Sequence, residues 1–138
     1  MATIKLEIVS PDKMVYAADI DMLIVRSIAG ELGILPHHAP LVTSLVPHAM
    51  RVKLDGDEKL VAVGGGFMEV QPDKISVMAS VAELPEDIDT DRAQRAFDRA
   101  KKRIESGKSG AEDINMVRAE AALKRAVARL TATGSHIE

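Results

Sequence analysis

The chain has 138 residues, a formal net charge of −3 at pH 7 and no cysteine. This length suits one ordinary domain, or one small domain with an appendage. The absence of cysteine excludes disulfides, thiolate catalysis and cysteine-bound zinc, and is typical of an intracellular or membrane-peripheral protein of bacterial type. The small negative charge gives no electrostatic reason to expect nucleic acid as a partner. No apolar run approaches the roughly 20 residues of a transmembrane helix, so we expect no direct membrane span.

The spacing of apolar residues changes at Pro85. Before it they alternate with polar residues and are interrupted by Gly and Pro, whereas after it the sequence is rich in Ala and Arg and its apolar residues recur three and four apart. Residues 1–84 carry a charge balance of −4 and residues 85–138 one of +1. We therefore predict two units, a domain over 1–84 and a second over 85–138.

The first unit has the pattern of an antiparallel β-sandwich. Ile4, Leu6 and Ile8 alternate with polar residues, as in a strand buried on one face. About eight or more short strands, separated by turns rich in Gly, Pro and Asp, predict two packed antiparallel sheets. The predicted strands are 4–8, 14–16, 21–26, 41–46, 49–54, 60–63, 67–70 and 75–79.

The second unit has the pattern of a helical hairpin. Asp89 can cap a helix that begins at Thr90, residues 106–110 end that helix and make the turn, and a second helix starts near Glu112 and Asp113. Each helix carries one apolar stripe at helical spacing. The stripes are Ala93, Ala96, Phe97, Ala100 and Ile104 in the first helix, and Met116, Ala119, Leu123, Val127 and Leu130 in the second.

Both stripes are poor in large residues. Burying one methyl group contributes about 0.8 kcal/mol, against about 1.5–3 kcal/mol for a Leu or Phe side chain. We therefore expect the hairpin to be held weakly by the neighbouring domain and to be able to move.

Two motifs could suggest a ligand or metal site, but their sequence context argues against one. Residues 64–66 are three glycines between two strands, but they match neither phosphate-loop pattern, so a close approach of the sheets is the better interpretation. His37, His38 and His48 have no carboxylate at helical ligand spacing, so we assign residues 36–40 to a loop. No Ser, Thr or carboxylate pair has a catalytic context, and we predict no catalytic activity and no metal site.

Asp89 and Arg92 have two interpretations. They can form a helix cap with a surface ion pair, which contributes a few tenths of a kcal/mol, roughly. Alternatively they belong to a phosphate site, because several other arginines fall on the predicted helix faces and a folded hairpin could gather their guanidinium groups. Those arginines are Arg99, Arg118, Arg125 and Arg129.

Three segments resemble a known family. Residues 30–41 (GELGILPHHAPL) resemble the signature loop of the epsilon subunit of the rotary F-type ATP synthase, residues 64–70 (GGGFMEV) resemble its second marker, and residues 119–130 resemble its last helix. The match covers essentially the whole chain in the right order. One departure is His37, where the family commonly has Gly.

The resemblance implies a ten-stranded β-sandwich followed by a helical hairpin, in a non-catalytic subunit of the central stalk. It implies that the sandwich binds the gamma subunit and rests on the ring of c subunits, with Glu31 and His38 facing those partners. It places the protein peripherally on the cytoplasmic face of the bacterial membrane. The family's hairpin is either folded on the sandwich or extended along gamma, where it meets the catalytic alpha and beta subunits and inhibits ATP hydrolysis.

The resemblance also implies a regulatory ATP site. Bacterial members that bind ATP carry the pattern Ile-Asp-x-x-Arg-Ala, which residues 88–93 (IDTDRA) match without a break. The implied ligand is ATP, with or without Mg²⁺, and it stabilises the folded hairpin. The implied site residues are Glu83, Ile88, Asp89, Arg92, Ala93, Arg99, Arg125 and Arg129. The alternative that remains open is a purely structural rotor adaptor with no nucleotide site.

Overall fold

The structure, a computed structural model, describes residues 2–110 and 113–134. Ten strands are followed by a 3-10 turn, Pro85–Asp87, and by two helices, α1 Thr90–Ser109 and α2 Met116–Ala132. The strands are β1 Ile4–Val9, β2 Met14–Ile20, β3 Met22–Ser27, β4 Gly30–Ile34, β5 Leu41–Leu45, β6 His48–Leu54, β7 Asp57–Val63, β8 Gly66–Val70, β9 Lys74–Ala79 and β10 Ala82–Glu83. The predicted β-sandwich followed by a helical hairpin is confirmed.

The strands form one continuous sheet that folds over on itself. Its order is β10-β7-β6-β3-β5-β8-β9-β1-β2, with β4 paired to β3 beside this path. Every strand pair is antiparallel except β1 with β9. In most strands alternate residues point inward and make an aliphatic core, as the period of two requires. At the end of β7, Val61 and Val63 lie in this core and Ala62 between them is buried against the hairpin. The largest of its fully buried side chains are Leu6, Ile8, Ile20, Leu23, Ile34, Met50, Met68 and Ile75.

Two strands lie outside the sequence prediction. Residues 30–34 were assigned only to a loop motif, but they form β4, which pairs with β3 from Leu23 opposite Ile34 to Ser27 opposite Gly30. The glycines of this segment interrupt the apolar alternation, and one of them, Gly30, has a φ of 127°, which favours glycine. The other unpredicted strand, β10, has only two residues, which is too short for a visible alternation.

The three glycines at 64–66 lie where backbone segments approach closely, as predicted. Gly66 has a φ of 144°, which L residues rarely adopt, and a Cβ there would lie 2.2 Å from the carbonyl oxygen of Met78. A Cβ on Gly64 would contact the side chains of Val81 and Arg125. These glycines therefore serve packing at the end of β7 and the start of β8.

The helix ends differ from the sequence prediction. The first helix does not end at residue 106 but continues through Ser109, and Gly110 closes it in the left-handed conformation with a φ of 74°. The second helix does not start near Asp113, because Asn115 caps it by accepting a hydrogen bond from the Arg118 amide at 3.1 Å. Glu112, the other predicted start, lies outside the described residues.

The hairpin docks through α2. One side of α2 packs on β6 and β7 and the other on α1, whereas α1 packs mainly on α2. Because α2 has two neighbours, it buries more alanines than the predicted stripe contains. The buried residues of this interface are Ala62, Ile88, Ala93, Phe97, Ala126, Ala128, Leu130 and Ala132, five of eight being alanine. Among the described helices, none is long and apolar enough to span a membrane.

Candidate nucleotide-binding site

Glu83 and Arg129 form an ion pair at the seam between the two units. Glu83 lies on β10 and Arg129 in the last turns of α2, and Arg129 Nε donates to Glu83 Oε1 at 2.5 Å. Each side chain keeps somewhat under a third of its surface exposed (29% and 28%), so water screens the pair only in part. Two of the eight predicted site residues are thus bonded to each other directly.

Next to this pair is a cavity too small for a ligand. It has a volume of about 10 Å³ and is lined by Glu83, Arg125 and Arg129 together with apolar residues of β7 and of the Gly64–Val81 contact. A single water needs roughly 10–15 Å³. In this conformation the seam is therefore closed, and Arg125 lines the same small cavity as the Glu83–Arg129 pair.

A larger cleft opens between the two helices. Its volume is about 510 Å³, within the roughly 300–1,000 Å³ that small-molecule pockets occupy. Four arginines line it and Asp113 is the one carboxylate among its lining residues. The arginines are Arg99 and Arg103 of α1 and Arg118 and Arg125 of α2.

The four cleft arginines form no ion pair within the described part of the chain. Like charges brought together without partners are unfavourable, and guanidinium groups are the preferred bidentate ligands of phosphate oxygens. Chemically, the cleft is suited to a multiply charged phosphate compound. Both helices contribute to it, so the cleft exists only while the hairpin is folded.

Asp89 is engaged as a helix cap. Its Oδ1 accepts a hydrogen bond from the backbone amide of Arg92 at 3.0 Å, which satisfies one of the free amides at the start of α1. The Arg92 side chain is exposed, and neither residue lines the arginine cleft or the small seam cavity. The surface ion pair that we considered between Asp89 and Arg92 is not formed.

Ile88 and Ala93 are buried and belong to the hairpin interface. Ile88 is 9% exposed and Ala93 2% exposed, and both pack in the alanine-rich cluster with Phe97. Neither has a polar side chain, so each can contact a ligand only through its backbone atoms or through van der Waals packing. Their packing fixes the direction in which α1 leaves the Pro85–Asp87 turn.

The eight predicted residues therefore lie in three separate places: the seam, the cleft and the start of α1. Glu83 and Arg129 meet at the seam, Arg99 lies in the cleft, and Arg125 borders both. The four residues taken from the 88–93 motif, Ile88, Asp89, Arg92 and Ala93, cap and pack the start of α1 instead. Arg103 was not among the predicted site residues, although it lies four residues after Arg99 and therefore on the same helix face.

The two predicted partner-contact residues lie on β4 and in the loop after it, and Glu31 also lines the crevice between the sandwich and α2. Glu31 is exposed on β4, and His38 is half-buried in the following loop, with Nδ1 2.7 Å from the Ala39 carbonyl oxygen. His37, which stands where the family commonly has Gly, has a φ of 68°. The loop therefore keeps a left-handed backbone position that glycine would adopt without strain.

Comparison with known proteins identifies the family. Residues 3–85 match the model for the beta-sandwich domain of the ATP synthase delta/epsilon chain, and residues 86–134 match the model for its long alpha-helix domain. The chain belongs to the ATP synthase epsilon-chain family. The resemblance seen in residues 30–41, 64–70 and 119–130 is confirmed, and by family the chain is a non-catalytic subunit of the ATP synthase.

Relatives of similar length support this membership in the epsilon-chain family. The ATP synthase epsilon chain of Halalkalibacterium halodurans is 48% identical over 134 residues, covering 97% of this chain and 99% of the relative. That of Bacillus velezensis is 47% identical over 135 residues, covering 98% and 100%. This epsilon-family chain therefore spans nearly the full length of both.

Two solved structures share the fold. A chain of the Euglena gracilis mitochondrial ATP synthase (OSCP/F1/c-ring) has a TM-score of 0.75 at 23% identity, covering 90% of this chain and 77% of its own. A chain of the Tetrahymena thermophila mitochondrial ATP synthase central stalk and c-ring has a TM-score of 0.60 at 14% identity, covering 96% and 97%. At these identities the likeness concerns the epsilon-family fold.

Proposed function

We propose that the chain is a rotor subunit of the F-type ATP synthase that couples ion flow to ATP synthesis and regulates ATP hydrolysis through its hairpin. Membership in the epsilon-chain family supports the rotor role, as does the likeness to a central stalk chain. The sandwich binds the gamma subunit and the c-ring, with Glu31 and His38 among the contacts. The protein then lies peripherally on the cytoplasmic face of the bacterial membrane.

The regulatory ligand in this proposal is ATP, bound with or without Mg²⁺ in the cleft between the helices. The observation that carries it is the convergence of Arg99, Arg103, Arg118 and Arg125 without carboxylate partners among the described residues. Phosphate oxygens would add negative charge to a cleft whose lining has four arginines and one carboxylate, that of Asp113. Arg125 borders the seam as well, which links the cleft to the Glu83–Arg129 pair.

ATP then controls the hairpin through differential affinity. A ligand shifts two conformations only as far as it binds them differently, and a cleft built from both helices binds phosphate only in the folded hairpin. The alanine-rich docking interface keeps the intrinsic cost of release small. At low ATP the hairpin extends along gamma toward the catalytic alpha and beta subunits and inhibits hydrolysis.

Calorimetric titration of the full chain with ATP tests this site. We expect Arg99→Gln with Arg118→Gln to weaken ATP binding at least tenfold, since each charge-assisted hydrogen bond contributes about 1.5–3 kcal/mol. The matched control is Arg95→Gln, which removes an exposed α1 arginine that does not line the cleft. Equal affinity in the double variant and the wild type would contradict the cleft as the ATP site.

The motif residues need a separate test, because Asp89 caps α1. Asp89→Asn keeps a good cap while removing the charge, and Arg92→Gln removes an exposed charge. If these variants bind ATP as the wild type does, the motif at residues 88–93 acts by building the helix start. If either loses binding, ATP reaches across from the cleft to the start of α1 as well.

A purely structural rotor adaptor is the second candidate. The closed Glu83–Arg129 pair and the capping role of Asp89 favour it, because both explain predicted site residues without a ligand. It predicts that deletion of residues 85–138 leaves assembly and ATP hydrolysis by the complex unchanged. The regulatory proposal predicts that the same deletion raises hydrolysis at low ATP.

A further inference from the structure

His48 is a buried side chain that takes the place of a backbone group in the sheet. It begins β6 and is 7% exposed. Its Nε2 accepts the backbone N–H of Arg26 at 3.0 Å, and its Nδ1 lies 2.6 Å from the carbonyl oxygen of Val46. These partners fix one neutral tautomer, in which Nδ1 carries the proton and donates it to Val46.

The ring stands at the point where β3 changes partners. Arg26 lies between the β3 residues that pair with β6 and Ser27, which pairs with Leu45 of β5. The Arg26 carbonyl accepts from the Val46 amide at 3.2 Å, while its N–H is bonded to His48. The imidazole therefore completes the ladder across the link between β5 and β6.

This junction borders the surface on which the hairpin rests. His48 lines a crevice of about 1,030 Å³ whose opposite wall is α2, through Val127, Ala128 and Thr131. The next residue of β6, Ala49, packs directly against the hairpin interface. A change in the position of β6 at His48 thus reaches the docking surface of α2 within one residue.

Protonation of His48 is incompatible with this arrangement. A proton on Nε2 would face the Arg26 N–H, so the acceptor would be lost and two donors would oppose each other. Burial, the largest effect, holds the pKa of His48 below its ordinary value of 6.5; the Val46 hydrogen bond and the Glu31 charge oppose the shift, and the Arg26 charge adds to it.

The charges around His48 are of both signs, and in the docked arrangement both ring nitrogens are bonded to backbone groups. Arg26 lies on β3, Glu31 on β4 and Lys124 on α2, all lining the crevice. Arg51 of β6 and Glu58 of β7 also line it, but they are bonded to each other at 2.9 Å. Glu31 is in no ion pair among the described residues and its charge favours the protonated ring, but a proton on Nε2 still faces the Arg26 N–H, so the junction must open to accommodate it.

We propose that His48 is an acid-sensitive latch for the hairpin: a proton at Nε2 breaks the bond from the Arg26 N–H, loosens the start of β6 and releases α2. The latch rests on the proposed release of the hairpin, and it is independent of the ATP site. The contribution of the neutral His48 to docking is then fully present above pH 6.5, the ordinary histidine pKa, and is lost as the pH falls toward the lower pKa of the docked state. One proton changes the docking constant at most tenfold per pH unit.

The absence of cysteine from the sequence makes a direct test simple. Asp12→Cys and Glu120→Cys place fluorophores on an exposed turn of the sandwich and on the exposed side of α2. Single-molecule energy transfer without ATP, from pH 7.5 to pH 5, should show a falling docked fraction. His48→Gln, whose amide oxygen can accept from Arg26 without titrating, should abolish that fall, and the exposed control His37→Gln should retain it.

The outcomes separate the latch from the function proposed above. A docked fraction with the same pH dependence in His48→Gln and the wild type would overturn the latch alone. A hairpin that stays docked without ATP at every pH would contradict both. If His48→Gln does not fold, NMR titration of the wild type decides the question: the His48 ring and the α2 amides must share one midpoint, and different midpoints overturn the latch.

Discussion

Arg129 of α2 reaches Glu83 of β10 and makes the ion pair that fastens the helical hairpin to the last strand of the sandwich. The other three ion pairs of the described residues lie within the sandwich or join it to the Pro85–Asp87 turn. Because the remaining interface is mostly alanine, this pair carries an unusual share of the specific contacts that hold α2.

We therefore expect Glu83→Gln to loosen the hairpin. Loss of the charge from a partly buried hydrogen bond should cost about 1 kcal/mol, a roughly fivefold fall in the docking constant. Hydrogen exchange of the α2 amides, measured without ATP, reports this change. Glu7→Gln, which removes the Glu7–Lys74 pair inside the sandwich, is the matched control and should leave α2 exchange as it is.

The cap of α1 gives a second prediction. Asp89→Ala should lower the free energy of unfolding by about 0.5–2 kcal/mol, whereas Asp89→Asn should cost much less because Asn caps as well as Asp. Urea unfolding followed by circular dichroism measures both. Asn115→Ala, which removes the corresponding cap of α2, should cost a similar amount. An equal loss in Asp89→Ala and Asp89→Asn would mean that the charge, and not the cap, matters.

The loop that carries His38 yields a third prediction. His37 occupies a left-handed position with a φ of 68°, so His37→Gly should raise the free energy of unfolding by up to about 1 kcal/mol. His38 does not have this backbone conformation, and His38→Gly should lower stability by roughly 0.5–1 kcal/mol. Thermal unfolding of the two variants side by side distinguishes them by the sign of the change.

Gly66 should tolerate no side chain. The Cβ of Gly66→Ala would lie 2.2 Å from the Met78 carbonyl oxygen at a φ of 144°, so the strands must separate. We expect a loss of at least about 3 kcal/mol, or failure to fold. Gly56→Ala is the control, because Gly56 also has a positive φ (81°) but has open space around its Cβ position; its cost should be about 1 kcal/mol.

The sandwich and the hairpin could be predicted from the sequence because apolar residues recur every two residues in the strands and every three to four residues in the helices. Ile4, Leu6 and Ile8 are all buried as the alternation requires, and Ala93, Phe97 and Ala100 as the helical spacing requires. The strand β4 was not predicted, because Gly30 and Gly33 interrupt the alternation of apolar and polar residues. The start of α2 was not predicted correctly, because one side chain, the cap Asn115, decides where that helix begins.

The candidate site could be predicted from the sequence only in part. Spacing along a helix indicates which arginines share one face of that helix. Arg99 of α1 and Arg125 of α2 were both predicted in this way, and they line a common cleft. The way in which two helices cross depends on packing between distant residues, such as Gly107 against Met116. For this reason the separation of the Glu83–Arg129 pair from the start of α1 could not be inferred from one sequence.

Rotation at the Pro85–Asp87 turn moves α1 as a rigid rod about its first residues. At 1.5 Å per residue the 20 residues of α1 are about 30 Å long, so a rotation of only 30° at the turn carries the far end through about 15 Å. Such a sweep takes α2 along, since α2 is joined to that far end. A small change of angle at this one turn therefore moves the far end of the hairpin by about 15 Å.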